Sequence, residues 1–240
     1  MTRGSTTREA MAEVALRMFA ERGIDAVSLR EITAASGQRN KSAAQYHFGS
    51  KEQLVREIFE RHTGQVNIHR QQLLTALYEN GRQPSLEGLA DALIHPLADT
   101  LIEHEHSHYA RFLAQVATPP WTMALVPADP AATESVRTVF SEIVRLLDDL
   151  PEAVLRTRLA LAMMLTVRAL AACEHAMEGS GPDNERRVAL LTANLIDSTI
   201  GILRAPVSDA TRRLLPPNPE RVTADDNWPW HFLVGAEAGF

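Results

Sequence analysis

A single cysteine, Cys173, stands in the 240-residue chain, so neither an internal disulfide nor a thiolate metal cluster can form. That usage suits a reducing compartment. Aromatic residues are sparse as well, at 5%, and runs of β-branched residues are scarce while Ala and Leu abound. Such a balance disfavours strands and favours helices. The most apolar stretch, Leu159 to Val167, covers nine residues before Arg168 stops it, too few to cross a bilayer. No apolar leader opens the chain, which begins Met1-Thr2-Arg3-Gly4-Ser5 and turns into a charged amphipathic segment. A Gly-rich phosphate loop and any pairing of a nucleophile with a base are also missing. A cytoplasmic protein with no membrane association, no enzymatic activity, no cofactor and no metal is therefore expected.

One further absence points somewhere. The net charge is −6, which by its sum argues against a nucleic-acid partner. Its distribution says otherwise: residues 1–63 hold ten Lys and Arg against eight Asp and Glu. Between Glu31 and Glu52 no acid occurs at all, while Arg39, Lys41 and Lys51 do. A phosphate-facing surface needs such a gap.

What is present is helix punctuation. Three capping boxes follow one another: Thr6 with Glu9, Ser28 with Glu31, and Ser50 with Gln53. In each the hydroxyl can accept from an orphan first-turn N–H while the third side chain reaches back. Apolar residues at helical spacing follow each box. The pattern predicts a first helix over about 7–22 ended by Gly23, a second over about 29–36 ended by Gly37, and a third over about 40–47. A fourth starts after Ser50.

A helix of about eight residues, a glycine turn and another short helix form a helix-turn-helix, whose second helix lies in the major groove. Here that reader is Gln38-Arg39-Asn40-Lys41-Ser42-Ala43-Ala44-Gln45-Tyr46-His47. Arg and Lys address guanine, Asn and Gln address adenine, and small Ala allows close approach to a thymine methyl. Ser42 and Tyr46 can donate to phosphates, and Lys51 sits where a helix N-terminus also favours an anion. Ser28 and Arg30, at the start of the preceding helix, complete the expected DNA-binding set.

The residues Phe19, Gly23, Ser28-Leu29-Arg30-Glu31-Ile32, Ala35-Ser36-Gly37 and Tyr46-His47-Phe48-Gly49-Ser50-Lys51-Glu52-Gln53-Leu54 resemble the DNA-binding head of TetR-type repressors over roughly residues 6–60. The resemblance implies an all-α homodimer: a three-helix head (residues 1–50, extending through a linking helix 51–80) and a larger helical effector-binding and dimerisation domain (51–205). It implies double-stranded DNA, in a pseudo-palindromic operator, and a small organic effector as partners. Phe48 follows Gly37 by eleven residues, one more than the common family pattern. The turn is thus one residue longer, which leaves open whether Gln45 or Tyr46 takes the usual tyrosine's phosphate contact.

Beyond the head, a helix over about 86–117 bent at His95-Pro96, a proline-rich loop over 118–130, and helices to about Asp149, over 152–177 and over 184–203 are expected. The tail, 206–240, with its many prolines, should be irregular. The stripes Leu155, Leu159, Met163, Thr166, Leu170 and Leu191, Leu195, Ser198, Ile202 read first as core and second as a dimer bundle with close-packed helices. Effector-pocket candidates are His108, Phe112, Trp121, Met123, Met164 and Arg168, chosen from apolarity and position. His104, His106 and His108 read as a polar face or pocket lining rather than a metal site. The rival functions are an all-helical enzyme and a helical ligand-binding or interaction protein without DNA activity.

Overall fold

The computed structural model describes residues 3–40, 42–79, 83–102, 107–116, 134–177 and 183–215. Lys41, His104, His106, Trp121, Met123, the proline-rich loop and the chain beyond residue 215 lie outside them. Ten helices and no strand occur among the described residues, so the chain is all-α. They are α1 (Arg3–Arg22), α2 (Leu29–Ala35), α3 (Ala43–Phe48), α4 (Lys51–Tyr78), α5 (Leu86–Asp99), α6 (Tyr109–Val116), α7 (Glu134–Leu146), α8 (Glu152–Met177), α9 (Asn184–Arg204) and α10 (Asp209–Leu214).

The α1–α3 head surrounds Met11, Ala15, Phe19, Ile24, Ile32, Ala44 and Phe48, all nearly solvent-free. Helix α4 belongs to both parts of the molecule. Its first turns bury the pairs Leu54 and Val55, then Ile58 and Phe59; its later turns bury single residues, Thr63, Val66, Arg70 and Leu74. The broad stripe packs in the head and the narrow one against α5 and α7. Helix α4 approaches α5 closely because position 88 is glycine: a Cβ there would lie 2.5 Å from Leu77 Cδ2. In the body, α8 lies between α6 and α9, and α9 also covers α5. Phe112 of α6 stacks on Phe19 of α1 with ring centroids 6.3 Å apart, so one buried cluster runs from Met11 to Leu203.

Several expectations change. Helix α1 starts at Arg3, so Thr6 is inside it and does not cap its start. The long helix expected from Leu86 is two helices: α5 ends at Asp99, three residues after Pro96, and α6 begins at Tyr109. His108 therefore directly precedes α6. In the tail, Ser208 caps the short helix α10 through the Thr211 amide, a cap signal outweighed in the sequence by the surrounding prolines. Helix α8 is long and apolar enough, by length and composition, to cross a membrane; the nine-residue run understated it. Its inner face is occupied by α6 and α9, the situation of a core helix.

Three of the buried charges, Glu174, Arg111 and Arg158, are handled at helix ends within this packing. The Glu174 carboxylate of α8 closes the N-terminus of α6, accepting from the Ala110 and Arg111 amides at 3.1 and 3.0 Å. It also accepts from Ser107 Oγ and from Arg111 Nε. Arg111 in turn donates to His108 Nδ1 at 2.7 Å. Arg158 is buried on α8 and donates to the Leu203 carbonyl at the end of α9, a cation on orphan C-terminal carbonyls.

Candidate nucleic-acid interface

The geometry of the head begins at Ser28. Its hydroxyl accepts from the Glu31 amide at 3.3 Å while Glu31 Oε2 accepts from the Ser28 amide at 2.9 Å, a complete capping box. Arg22 bonds the other Glu31 oxygen at 2.6 Å. The Arg22 hydrogen bond and then the Ser28 bonds hold the Glu31 carboxyl down to about 2. Ser28 thus has its hydroxyl engaged in the cap, and Arg30 beside it is exposed.

Helix α2 ends in a Schellman motif. The Gly37 amide donates to Ala34 O and the Gln38 amide to Thr33 O, with Gly37 in the left-handed region at φ +67°. Seven residues, 36–42, separate α2 from α3, and the turn is organised by Asn40. Its side-chain oxygen accepts from the Ser42 amide at 3.0 Å and its backbone carbonyl from the Ala43 amide at 3.0 Å. Ser42, at the N-cap of α3, makes no side-chain cap bond.

Helix α3 is anchored by Ala43, Ala44 and Phe48, which are buried, and presents the residues between them. Arg39, Asn40, Ser42 and Gln45 are exposed, Gln38 and His47 half-buried. Tyr46 is 83% exposed, the most open large hydrophobic side chain among the described residues of the head. Gln45, by contrast, donates its side-chain amide to the Gly49 carbonyl at the far end of α3. His47 lies between the Tyr46 and Phe48 rings, at 5.4 and 6.3 Å. Phe48 is covered by the Arg8 guanidinium at 5.2 Å, itself held by Glu57.

Lys51 occupies a place that sequence spacing does not reveal. Its ammonium donates to the Ile24 carbonyl at 3.1 Å, with that of Asp25 at 3.5 Å, and so ties the α1–α2 loop to α4. Ser50 caps α4 through the Gln53 amide at 3.2 Å, the hydroxyl half of the expected capping box. The other missed residue is Thr33. It is buried, and its hydroxyl joins α2 to α3; its type and position gave no signal, because its partner is eleven residues away.

Four of the effector candidates, His108, Phe112, Met164 and Arg168, lie among the described residues. Phe112 is fully buried against α1, whereas Met164 is 47% exposed and Arg168 is exposed as well. His108 borders the Arg111–Glu174 pair. Among the described residues, no group of three or more His, Cys, Asp or Glu could hold a metal.

A capped helix, a left-handed glycine turn and a short helix with an open polar face define a helix-turn-helix protein. Residues 12–58 match the family model of bacterial regulatory proteins, tetR family, so this head is similar to the heads of that family. It is similar to the HTH-type transcriptional regulator AcrR of Shigella flexneri, 31% identical over 118 residues, which are 46% of this chain and 53% of that protein. The match thus spans about half the length of that relative. Among solved structures, a tetR-family regulator of Mesorhizobium loti MAFF303099 is 18% identical with a TM-score of 0.45, covering 85% of this chain and 98% of that one. A gamma-butyrolactone receptor (ArpA-like protein) is 21% identical with a TM-score of 0.44, covering 82% and 100%.

Proposed function

We propose that this chain is a cytoplasmic, sequence-specific DNA-binding transcriptional regulator. It acts as a homodimeric repressor that a small organic effector releases from a pseudo-palindromic operator. The observation that carries the reading is the α3 surface: exposed Arg39, Asn40, Ser42, Gln45 and Tyr46, on a stretch without a carboxylate from Ile32 to Lys51. Arg39 and Asn40 stand at the N-terminal approach of α3, where base edges are read. Tyr46 rather than Gln45 takes the phosphate contact, because the Gln45 amide is already spent on Gly49. Lys51 supports the head from within and adds field rather than a direct contact.

Dimerisation is supported by the outer faces of α8 and α9. Leu161, Met164, Leu165 and Arg168 follow one another at helical spacing on α8, all exposed. On α9, Leu190 is 66% exposed, and Ala193, and Gly201 further along the helix, are exposed as well. An apolar patch of this kind, with small residues that allow close approach, suits a self-complementary interface. Met164 and Arg168 belong to this face in our reading, which leaves His108, Phe112, Trp121 and Met123 as effector-site candidates. An effector releases the operator only through its differential affinity for the two head spacings, and these must match the roughly 34–36 Å of one DNA turn.

A gel shift with the full chain and the duplex upstream of its own gene tests the proposal. A salt-sensitive, sequence-specific shift is expected; its absence at moderate ionic strength sinks the reading.

A further inference from the structure

Helix α3 is only six residues long, and its N-cap, Ser42, makes no side-chain cap bond. Of its first amides, that of Ala43 reaches the Asn40 carbonyl. The amide of Ala44, a fully buried residue, donates to Thr33 Oγ1 of α2, at 3.2 Å. The same hydroxyl donates to the Leu29 carbonyl at 2.9 Å. Thr33 is 2% exposed and Ala44 0%, so no water can replace this bond.

A short helix cannot fix its own direction, and α3 projects at the end of a turn lengthened by one residue. Ala43, Ala44 and Phe48 hold it by shape alone, and two of these are methyl groups. The Thr33 hydroxyl supplies a directional constraint, joining a carbonyl in the first turn of α2 to an amide in the first turn of α3. We propose that Thr33 is a positioning residue for sequence reading: it caps α3 from the neighbouring helix and sets the angle at which Arg39 and Asn40 meet the bases. This rests on the DNA reading above. Backbone phosphate contacts tolerate a small tilt of α3, whereas bidentate base contacts do not, so loss of the cap must act on specificity first.

The variants are Thr33→Val, which keeps the side-chain shape and leaves the buried amide unpaired, and Thr33→Ser, which keeps the hydroxyl. The probes are a duplex that the wild-type chain enriches from a random-sequence pool and an unrelated duplex of equal length at low salt. Thr33→Val should weaken the enriched duplex roughly tenfold. It should leave the unrelated duplex and the salt slope unchanged to within about twofold, and Thr33→Ser should restore specific binding. The Ala44 amide should exchange faster with solvent in Thr33→Val. Equal losses on both duplexes, wild-type affinity in Thr33→Val, or an unaltered Ala44 amide would each overturn the inference. A wild-type chain that enriches no sequence fails differently, by overturning the DNA reading itself.

Discussion

Arg70 Nε donates at 3.2 Å to the carbonyl oxygen of Ala92, the acceptor that Pro96, four residues on, leaves without its helical donor. Its Nη2 lies 3.4 Å from the next carbonyl, Leu93, and its Nη1 bonds Asn67 Oδ1 at 2.8 Å. Burial in this site brings the guanidinium down to about 10. An arginine of α4 thus completes the broken hydrogen-bond ladder of α5, which explains both the buried cation and the tolerance of a proline inside a buried helix.

The two residues should therefore be coupled. Arg70→Met leaves the Ala92 carbonyl buried and unpaired, and a loss of about 2 kcal/mol is expected. Pro96→Ala restores the missing amide and should recover about 1 kcal/mol of that loss in the double variant. Urea unfolding of the four proteins measures it; strictly additive effects would dissolve the proposed coupling.

Tyr109 makes stability depend on alkaline pH. Its hydroxyl meets Thr63 Oγ1 at 2.9 Å, and burial pushes it up to about 12 from an ordinary 10.0. A raised pKa means that the unfolded chain loses this proton first, so the contribution is whole below pH 10 and is lost as the pH rises towards about 12. The lowered Arg70 works in the opposite sense in that window. Tyr109→Phe should remove the alkaline loss assigned to the hydroxyl, and stability curves at pH 9 to 11.5 would show identical slopes if it does not.

At the acidic end, Glu31 should titrate near 2 in carboxyl carbon NMR, and Arg22→Ala should return it towards 4.5. The lowered value means support for the head that is present above pH 4.5 and fades as the pH falls towards 2. An unchanged midpoint in Arg22→Ala would assign the shift to Ser28 alone.

Arg39 and Lys51 separate reading from folding. Arg39→Ala should cost roughly 1–3 kcal/mol of specific DNA affinity without changing the melting temperature. Lys51→Ala should lower the melting temperature, by about 1 kcal/mol of stability, because it unties the Ile24 carbonyl. Melting curves beside binding titrations decide the assignment, and the reverse pattern would place Lys51 on the phosphates and Arg39 in the scaffold.

The outer face of α8 and α9 is tested by charge. Leu161→Glu with Leu190→Glu should convert a dimer to monomers in sedimentation and raise the operator Kd at least tenfold, since each half-site then binds alone. Retained dimers would remove this face from the interface.

Much of the head was legible in the residues. Ser28 with Glu31, Gly37 and Ser50 with Gln53 act within one turn of helix, so their spacing along the chain is their spacing in space. The limits of α8 and α9 came out within a residue for the same reason. The break between α5 and α6 did not, since a proline predicts a bend without saying how far a helix continues beyond it.

By itself the sequence determined the helical class, the capped starts of α2 and α4, and a reader without acidic neighbours, because these depend on local backbone chemistry and on composition. Tertiary structure alone decided which partner each long-range polar group found. It sent Lys51 inward to Ile24, Thr33 to the amide of Ala44, and Arg70 to the carbonyl that Pro96 had left open. A buried donor or acceptor takes whatever packing brings within hydrogen-bonding reach, and for Lys51, Thr33 and Arg70 that partner lies on another segment of the chain.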